Sequence, residues 1–278
     1  MAHTADARAT SRMAQFLESP FAGLSPWIVF ALVVGPGRFE WSVALALAIS
    51  VCLVIGGRLM NPGSSLKILE LCDVVFFSVL TVVGIFASEG TRRWLETYAG
   101  EVSNLALVAI AFGSMLVRVP FTLQYAREQV DRQFWDTPAF KRTNYTITGV
   151  WGLAFLINAV AGAYGDLVLR NPNNIWTGWI IQVLTIIGAL RFTQWYPDVV
   201  RARARAGEPA PPLSSMLLPM AGLLVPIGIA VLVFDGHLWW LGVALIVVGG
   251  WLTRALKSQV RPEGSPDPRP RRERRARR

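Results

Sequence analysis

Histidine, cysteine and charged residues are scarce in this chain of 278 residues. It has two histidines, two cysteines and 16% charged residues, whereas soluble domains carry about 25% charged residues. His3 and His237 lie outside the long apolar runs, and no HExxH, GxSxG or P-loop motif is present. Cys52 and Cys72 show neither CxxC nor zinc-ligand spacing. These absences predict no catalytic residue, no metal site and no cofactor, and they favour a protein that is not an enzyme.

Apolar residues make up 53% of the chain and cluster in long runs, separated by short segments that hold nearly all of the charge. A helix of about 20 apolar residues crosses the roughly 30 Å hydrocarbon core of a bilayer. Because lipid offers backbone groups no hydrogen-bond partner, runs of this length must be helical. We therefore predict an all-α polytopic membrane protein with about eight transmembrane helices. The predicted spans are 20–36, 40–57, 68–88, 102–119, 145–164, 175–192, 213–234 and 238–253.

The distribution of lysine and arginine predicts the orientation of the spans. Excess lysine and arginine marks cytoplasmic loops. If the N-terminus is cytoplasmic, the inner segments hold 23 lysine and arginine residues and the outer segments hold 4. Both termini are therefore expected in the cytoplasm. Arginine outnumbers lysine 24 to 3, which indicates a GC-rich bacterial genome and hence the bacterial inner membrane.

Three regions follow from this topology. Residues 1–18 form a cytoplasmic N-terminal segment, residues 19–254 the transmembrane domain, and residues 255–278 a basic cytoplasmic tail. Positions 261–278 hold eight arginines against three acidic residues, which is +5 of the net charge of +9. The tail lacks apolar surface, so we expect it to be disordered and to contact anionic lipid headgroups, gaining roughly 1 kcal/mol per basic residue. Because more than half of the net charge lies in this tail, we do not expect nucleic acid to be a partner. The sequence is compatible with a homo-oligomer.

Residues 120–144 form the most distinctive segment between spans. Pro120 ends or kinks the fourth span, and aromatic side chains alternate with charges after it. This pattern predicts a short interfacial helix on the cytoplasmic leaflet. Two interpretations fit this helix. It is a connector with aromatic anchors, or it is a functional element that gates a pathway or binds lipid headgroups. Its candidate residues are Phe121, Gln124, Tyr125, Glu128 and Trp135.

The same segment carries a resemblance. Pro-Phe-Thr-x-Gln-Tyr-Ala-Arg-Glu at 120–128 is followed by Phe-Trp-x-Thr-Pro-x-Phe at 134–140 and Thr-x-Thr-Gly-Val-Trp-Gly at 146–152. Over residues 100–165 the chain resembles a group of uncharacterised bacterial multi-pass membrane proteins. More distantly, it resembles the intracellular septation protein A group. The resemblance implies a helical inner-membrane protein and supplies no catalytic residues.

Ionisable residues near membrane depth form a candidate polar cluster. Glu70 and Asp73 are three residues apart, so they share a face of the third predicted span. Arg118 lies in the last turn of the fourth span. Charges within a membrane are costly and usually face protein or water. We therefore predict that the two carboxylates pair with Arg118 or with Arg127 of the interfacial segment.

Two classes of function fit the sequence better than a membrane enzyme. The absence of catalytic motifs and the distant resemblance favour a non-enzymatic, envelope-associated or scaffold role. Charges clustered at one depth favour a small-solute or lipid transporter, as do the proline breaks in the apolar runs. A water-filled cavity reaching mid-membrane would favour transport, whereas a solid bundle would favour the scaffold.

Overall fold

A computed structural model describes residues 19–60, 66–172, 174–205, 208–234 and 236–260, and these contain helices and no β-strand. A π-helical turn, Tyr164–Val168, continues α6, and another, Trp176–Ile180, precedes α7. The predicted segment 1–18 and the tail from residue 261 lie outside the described residues. The nine α-helices of the described ranges are α1 Pro20–Val33, α2 Phe39–Met60, α3 Ile68–Phe86, α4 Glu89–Leu116, α5 Phe121–Gln129, α6 Pro138–Ala163, α7 Ile181–Ala204, α8 Leu213–Phe234 and α9 Trp239–Val260.

Seven of these helices are long and apolar enough to cross a membrane. They are α2, α3, α4, α6, α7, α8 and α9, with α6 and α7 each lengthened by its π-helical turn. The chain is therefore an all-α, multi-pass membrane protein, which confirms that part of the sequence prediction. The count of eight spans and the cytoplasmic placement of both termini stay predictions.

The count of eight depends on α1. This helix has 14 residues, contains Pro26, and measures about 21 Å at 1.5 Å per residue, which is less than the hydrocarbon thickness. One face of it is covered by protein, since Leu24, Trp27 and Phe30 are buried. An eighth span therefore needs residues beyond α1 to complete the crossing.

The connection between α3 and α4 differs from the sequence expectation. A loop of about thirteen residues was expected before a fourth span starting at 102, but α4 begins at Glu89. The Ser88 side chain caps the helix by accepting a hydrogen bond from the Thr91 backbone N–H, and Arg93 pairs with Glu89 one turn away at 3.0 Å. Local capping and pairing thus allow a charged stretch to be helical. The helix then kinks at Tyr98, where φ is −106° and ψ is 15°.

The chain divides into two compact units, residues 1–200 and residues 201–278. The first has an aromatic core in which Phe30 and Phe77 meet edge to face at 5.5 Å. The second contains the α8–α9 hairpin, which is closely packed at two glycines. A Cβ on Gly228 would lie 2.6 Å from the carbonyl oxygen of Gly242, so the helices need glycine there to approach this closely.

Candidate functional site

Helix α5, the centre of the predicted interfacial segment, is packed against other helices of the first unit. Phe121, Leu123 and Tyr125 are buried, which shows that protein covers its aromatic face. The Thr122 hydroxyl donates to the carbonyl of Asn144 at 3.1 Å, which anchors α5 to α6. The segment is thus a docked helix, and protein rather than lipid covers this face.

Gln124 joins α5 to the first residues of α3. Its Oε1 accepts a 2.6 Å hydrogen bond from the Ile68 backbone N–H, and its Nε2 donates to the carbonyl of Leu66 at 3.2 Å. The first N–H groups of a helix have no partner within the helix. Lys67, the N-cap residue of α3, makes no side-chain capping hydrogen bond. A side chain from another helix therefore caps α3.

Lys67 is the cation at the centre of the site. Its Nζ lies 3.2 Å from Glu70 Oε1 and 3.2 Å from Glu128 Oε2, and it sits 4.7 Å from the ring centroid of Tyr125. The side chains of Lys67 and Glu70 are only 6% and 9% exposed, so these are buried ion pairs. The Lys67 cluster, as we define it, comprises Trp27, Lys67, Glu70, Asp73, Tyr125 and Glu128.

Asp73 is the most deeply buried acid of the Lys67 cluster, with no exposed surface. Its Oδ1 accepts a 2.6 Å hydrogen bond from the Trp27 Nε1–H, whereas its Oδ2 has no hydrogen-bond partner among the described residues. The Trp27 ring packs against Phe76 and Phe77, with centroid separations of 4.6 and 5.1 Å. Asp73 therefore has one donor from α1 and aromatic surroundings.

The Tyr125 hydroxyl of the Lys67 cluster is buried and has no hydrogen-bond partner among the described residues. It lies against Gly23 of α1, where an added Cβ would overlap the hydroxyl oxygen. Burial raises the pKa of Tyr125 well above its usual value, and the negative charges of Glu70 and Glu128 raise it further. The phenol therefore stays protonated and keeps an O–H to donate.

The structure brings some of the predicted site residues together and separates others. Glu70 and Asp73 belong to one cluster, as their spacing suggested, and Glu128 joins them from α5. Arg118 is exposed just beyond α4 with φ 61°, and no ion pair joins it to either carboxylate within the described ranges. Arg127 lies 5.2 Å from the Trp135 ring centroid instead. For Glu70, Lys67 takes the place of the predicted arginine partner, and no ion pair of the described residues includes Asp73.

Trp135, another predicted residue of the segment, belongs to a separate contact. Its Nε1–H donates to the Val130 carbonyl at 2.9 Å, and the guanidinium groups of Arg127 and Arg132 lie over its ring at 5.2 and 5.5 Å. Cation–π contacts of this kind contribute about 0.5–1 kcal/mol at exposed sites. Trp135 therefore orders the chain between α5 and α6, outside the Lys67 cluster.

A second acidic contact joins α4 to the π-helical turn after α6. Glu101 of α4 lies close enough to Asp166 of the π-helical turn for their carboxyl groups to interact, and Asp166 Oδ2 has no hydrogen-bond partner among the described residues. Glu101 lies directly on Gly162, where a Cβ would overlap its Oε1. Among the described residues, no group of three His, Cys, Asp or Glu side chains could hold a metal ion.

No family model, curated protein or solved structure matches this chain. Its functional features are the membrane helices, the Lys67 cluster and the contact between Glu101 and Asp166.

Proposed function

We propose that this chain is a multi-pass protein of the bacterial inner membrane that moves a small solute across the membrane in exchange for, or together with, protons. The observation that carries the proposal is the fully buried Asp73 within α3, a helix long and apolar enough to span the membrane. Ionisable groups inside membrane helices are costly and usually mark ion or proton pathways. Glu70 on the same helix and the closeness of the Glu101 and Asp166 carboxyl groups support the same function.

A non-enzymatic scaffold in the envelope is the second candidate function. The Lys67–Glu128 ion pair and the hydrogen bonds of Gln124 hold α5 onto α3, which is what a rigid interaction platform requires. Membership of the septation-protein-like group, cytoplasmic termini and contact of the basic tail with anionic lipid are further parts of the proposal. Each is supported by sequence patterns alone.

The transport proposal can be tested in two stages. Metabolite profiles of cells and medium are first compared between a deletion strain and the same strain complemented with the wild-type chain. Solutes whose distribution changes are then offered to proteoliposomes that contain the purified chain and a trapped pH-sensitive dye. We expect solute-dependent proton movement with the wild-type chain and its loss with Asp73→Asn at unchanged melting temperature.

The matched control is Asp136→Asn, which removes an exposed acid between α5 and α6 and should leave proton movement intact. If no solute distribution depends on the gene and no solute drives proton movement through the folded protein, transport is excluded and the scaffold function is favoured.

A further inference from the structure

The Lys67 cluster holds more acidic groups than cations. Glu70, Asp73 and Glu128 face a single ammonium group, and that group lies 3.2 Å from both glutamates. No cation of the described structure lies within ion-pair distance of Asp73. A buried carboxylate without a cationic partner is strongly unfavourable, so the site requires another positive charge at Asp73.

The neighbours of Asp73 offer no alternative cation. α1 has no titratable side chain, and α3 adds Glu70 and Cys72 on either side of Asp73. From α5, Tyr125 and Glu128 face the site. On the other helices packed against α3, the basic residues nearest in depth are Arg58 and Arg118, both exposed. The acidic groups around Asp73 thus make a negative charge on its carboxyl group still less favourable.

The available space restricts the ligand to a proton. Asp73 has no exposed surface, and the Tyr125 hydroxyl is already in contact with the backbone of Gly23. A hard metal cation would need several oxygen ligands, and the described residues offer no such set. A proton on Oδ2 needs no additional room, and Oδ2 is the oxygen that lacks a hydrogen-bond partner.

We propose that Asp73 is a proton-binding site, neutral in the closed arrangement described here, and that it loses its proton only when the Tyr125 hydroxyl turns to donate to Oδ2. The O–H bond of the acid breaks, the proton leaves to water admitted by that movement, and the electron pair stays on Oδ2. The phenol then supplies the second hydrogen bond that the carboxylate needs beside Trp27. This inference rests on the proposed function for its use in transport, but the site can be tested without transport.

The test is infrared difference spectroscopy on the full chain in lipid vesicles, titrated across neutral pH. We expect a protonated carboxyl C=O band at neutral pH. Asp73→Asn should remove one carboxyl equivalent of that band, whereas Glu128→Gln should retain it. Tyr125→Phe should keep the band to higher pH, because the carboxylate would lack its second donor.

A measurement on the unsubstituted Asp73 covers the case in which Asp73→Asn fails to fold. Carboxyl-¹³C aspartate incorporated into an Asp166→Asn chain should shift the band. An unshifted band would overturn the assignment, as would its absence from the folded wild-type chain at neutral pH. Loss of the band when sodium replaces potassium at fixed pH would identify a cation site instead. If the carboxyl band behaves as expected but no solute flux is found, the proton-binding site is supported and the transport function is rejected.

Discussion

Trp27 and Asp73 are 46 residues apart in the chain and joined by a 2.6 Å hydrogen bond. The bond ties the short helix α1 to α3, at a position without solvent. It is also the one hydrogen bond that the described structure gives the Asp73 carboxyl group. The position of α1 therefore depends on a single polar contact together with the aromatic packing around it.

Replacing Trp27 by Phe should lower stability by about 1–3 kcal/mol beyond the loss of ring volume, because a buried acceptor loses its donor. Trp151→Phe is the matched control. Trp151 Nε1 donates to Thr193 Oγ1 at 3.0 Å, and that hydroxyl keeps its own bond to the Ala189 carbonyl. Denaturant titration in micelles measures both variants. Equal losses of stability in the two variants would show that the hydrogen bond to Asp73 adds no more stability than the bond to Thr193.

Lys67→Met should destabilise the protein by about 3–5 kcal/mol, because two buried carboxylates lose their cation. Lys141→Met removes an exposed pair with Asp136 and should cost no more than about 1 kcal/mol. Adding Glu70→Gln and Glu128→Gln to Lys67→Met should recover much of the loss. Unfolding by denaturant in micelles measures the series. A triple variant as unstable as Lys67→Met would argue against charge as the cause.

Gly23→Ala should loosen the contact between α1 and α5. The added Cβ would overlap the Tyr125 hydroxyl and lie 2.8 Å from Leu69 Cδ2, and overpacking of this kind costs about 1–3 kcal/mol. Gly56→Ala is the control, since its Cβ would meet nothing within 4 Å and alanine favours a helix by up to about 1 kcal/mol. Melting temperatures in detergent should therefore move in opposite directions. A rise for both would mean that the α1–α5 contact is not close.

The raised pKa of Tyr125 predicts a loss of stability in alkali. A phenol in the unfolded chain ionises near pH 10, whereas the folded protein holds Tyr125 protonated to higher pH. The stabilisation of the folded state by the protonated Tyr125 is complete below about pH 10. It is lost as the pH rises from there toward the pKa of Tyr125 in the folded protein. Tyr125→Phe lacks this titration. The stability of the variant relative to wild type should therefore improve above about pH 10, and a pH-independent difference would contradict the burial.

Topology can be decided by reporter fusions. Fusions after residues 62, 130, 207 and 260 should report the cytoplasm, and fusions after 38, 95, 171 and 236 the outside. Reporters before Pro20 and after Gly37 test α1 directly, since they face opposite sides only if the chain crosses there. If the fusions after 95 and 130 report the same side, α4 does not span and the eight-span topology is wrong.

Sequence patterns predicted the apolar helices well, because length and hydropathy alone determine which segments suit a bilayer. They also placed Glu70 and Asp73 on one face. They missed Lys67, although its three-residue spacing from Glu70 was the available signal, because the predicted partners Arg118 and Arg127 follow a different span. Trp27 could not have been found, since its bond to Asp73 depends on how α1 packs. The early start of α4 depends on the Ser88 cap, a local effect that overrides hydropathy.

The hydrogen bonds between Gln124 and the first residues of α3 also constrain how the protein is assembled. Translation proceeds from the N-terminus, so Lys67 and Ile68 are synthesised more than fifty residues before Gln124 and Glu128. Until that segment has left the ribosome, the Ile68 N–H lacks its acceptor and Lys67 lacks Glu128. The start of α3 therefore cannot reach its final arrangement during its own insertion. The start of α3 reaches that arrangement only after α5, a helix of nine residues, has been synthesised.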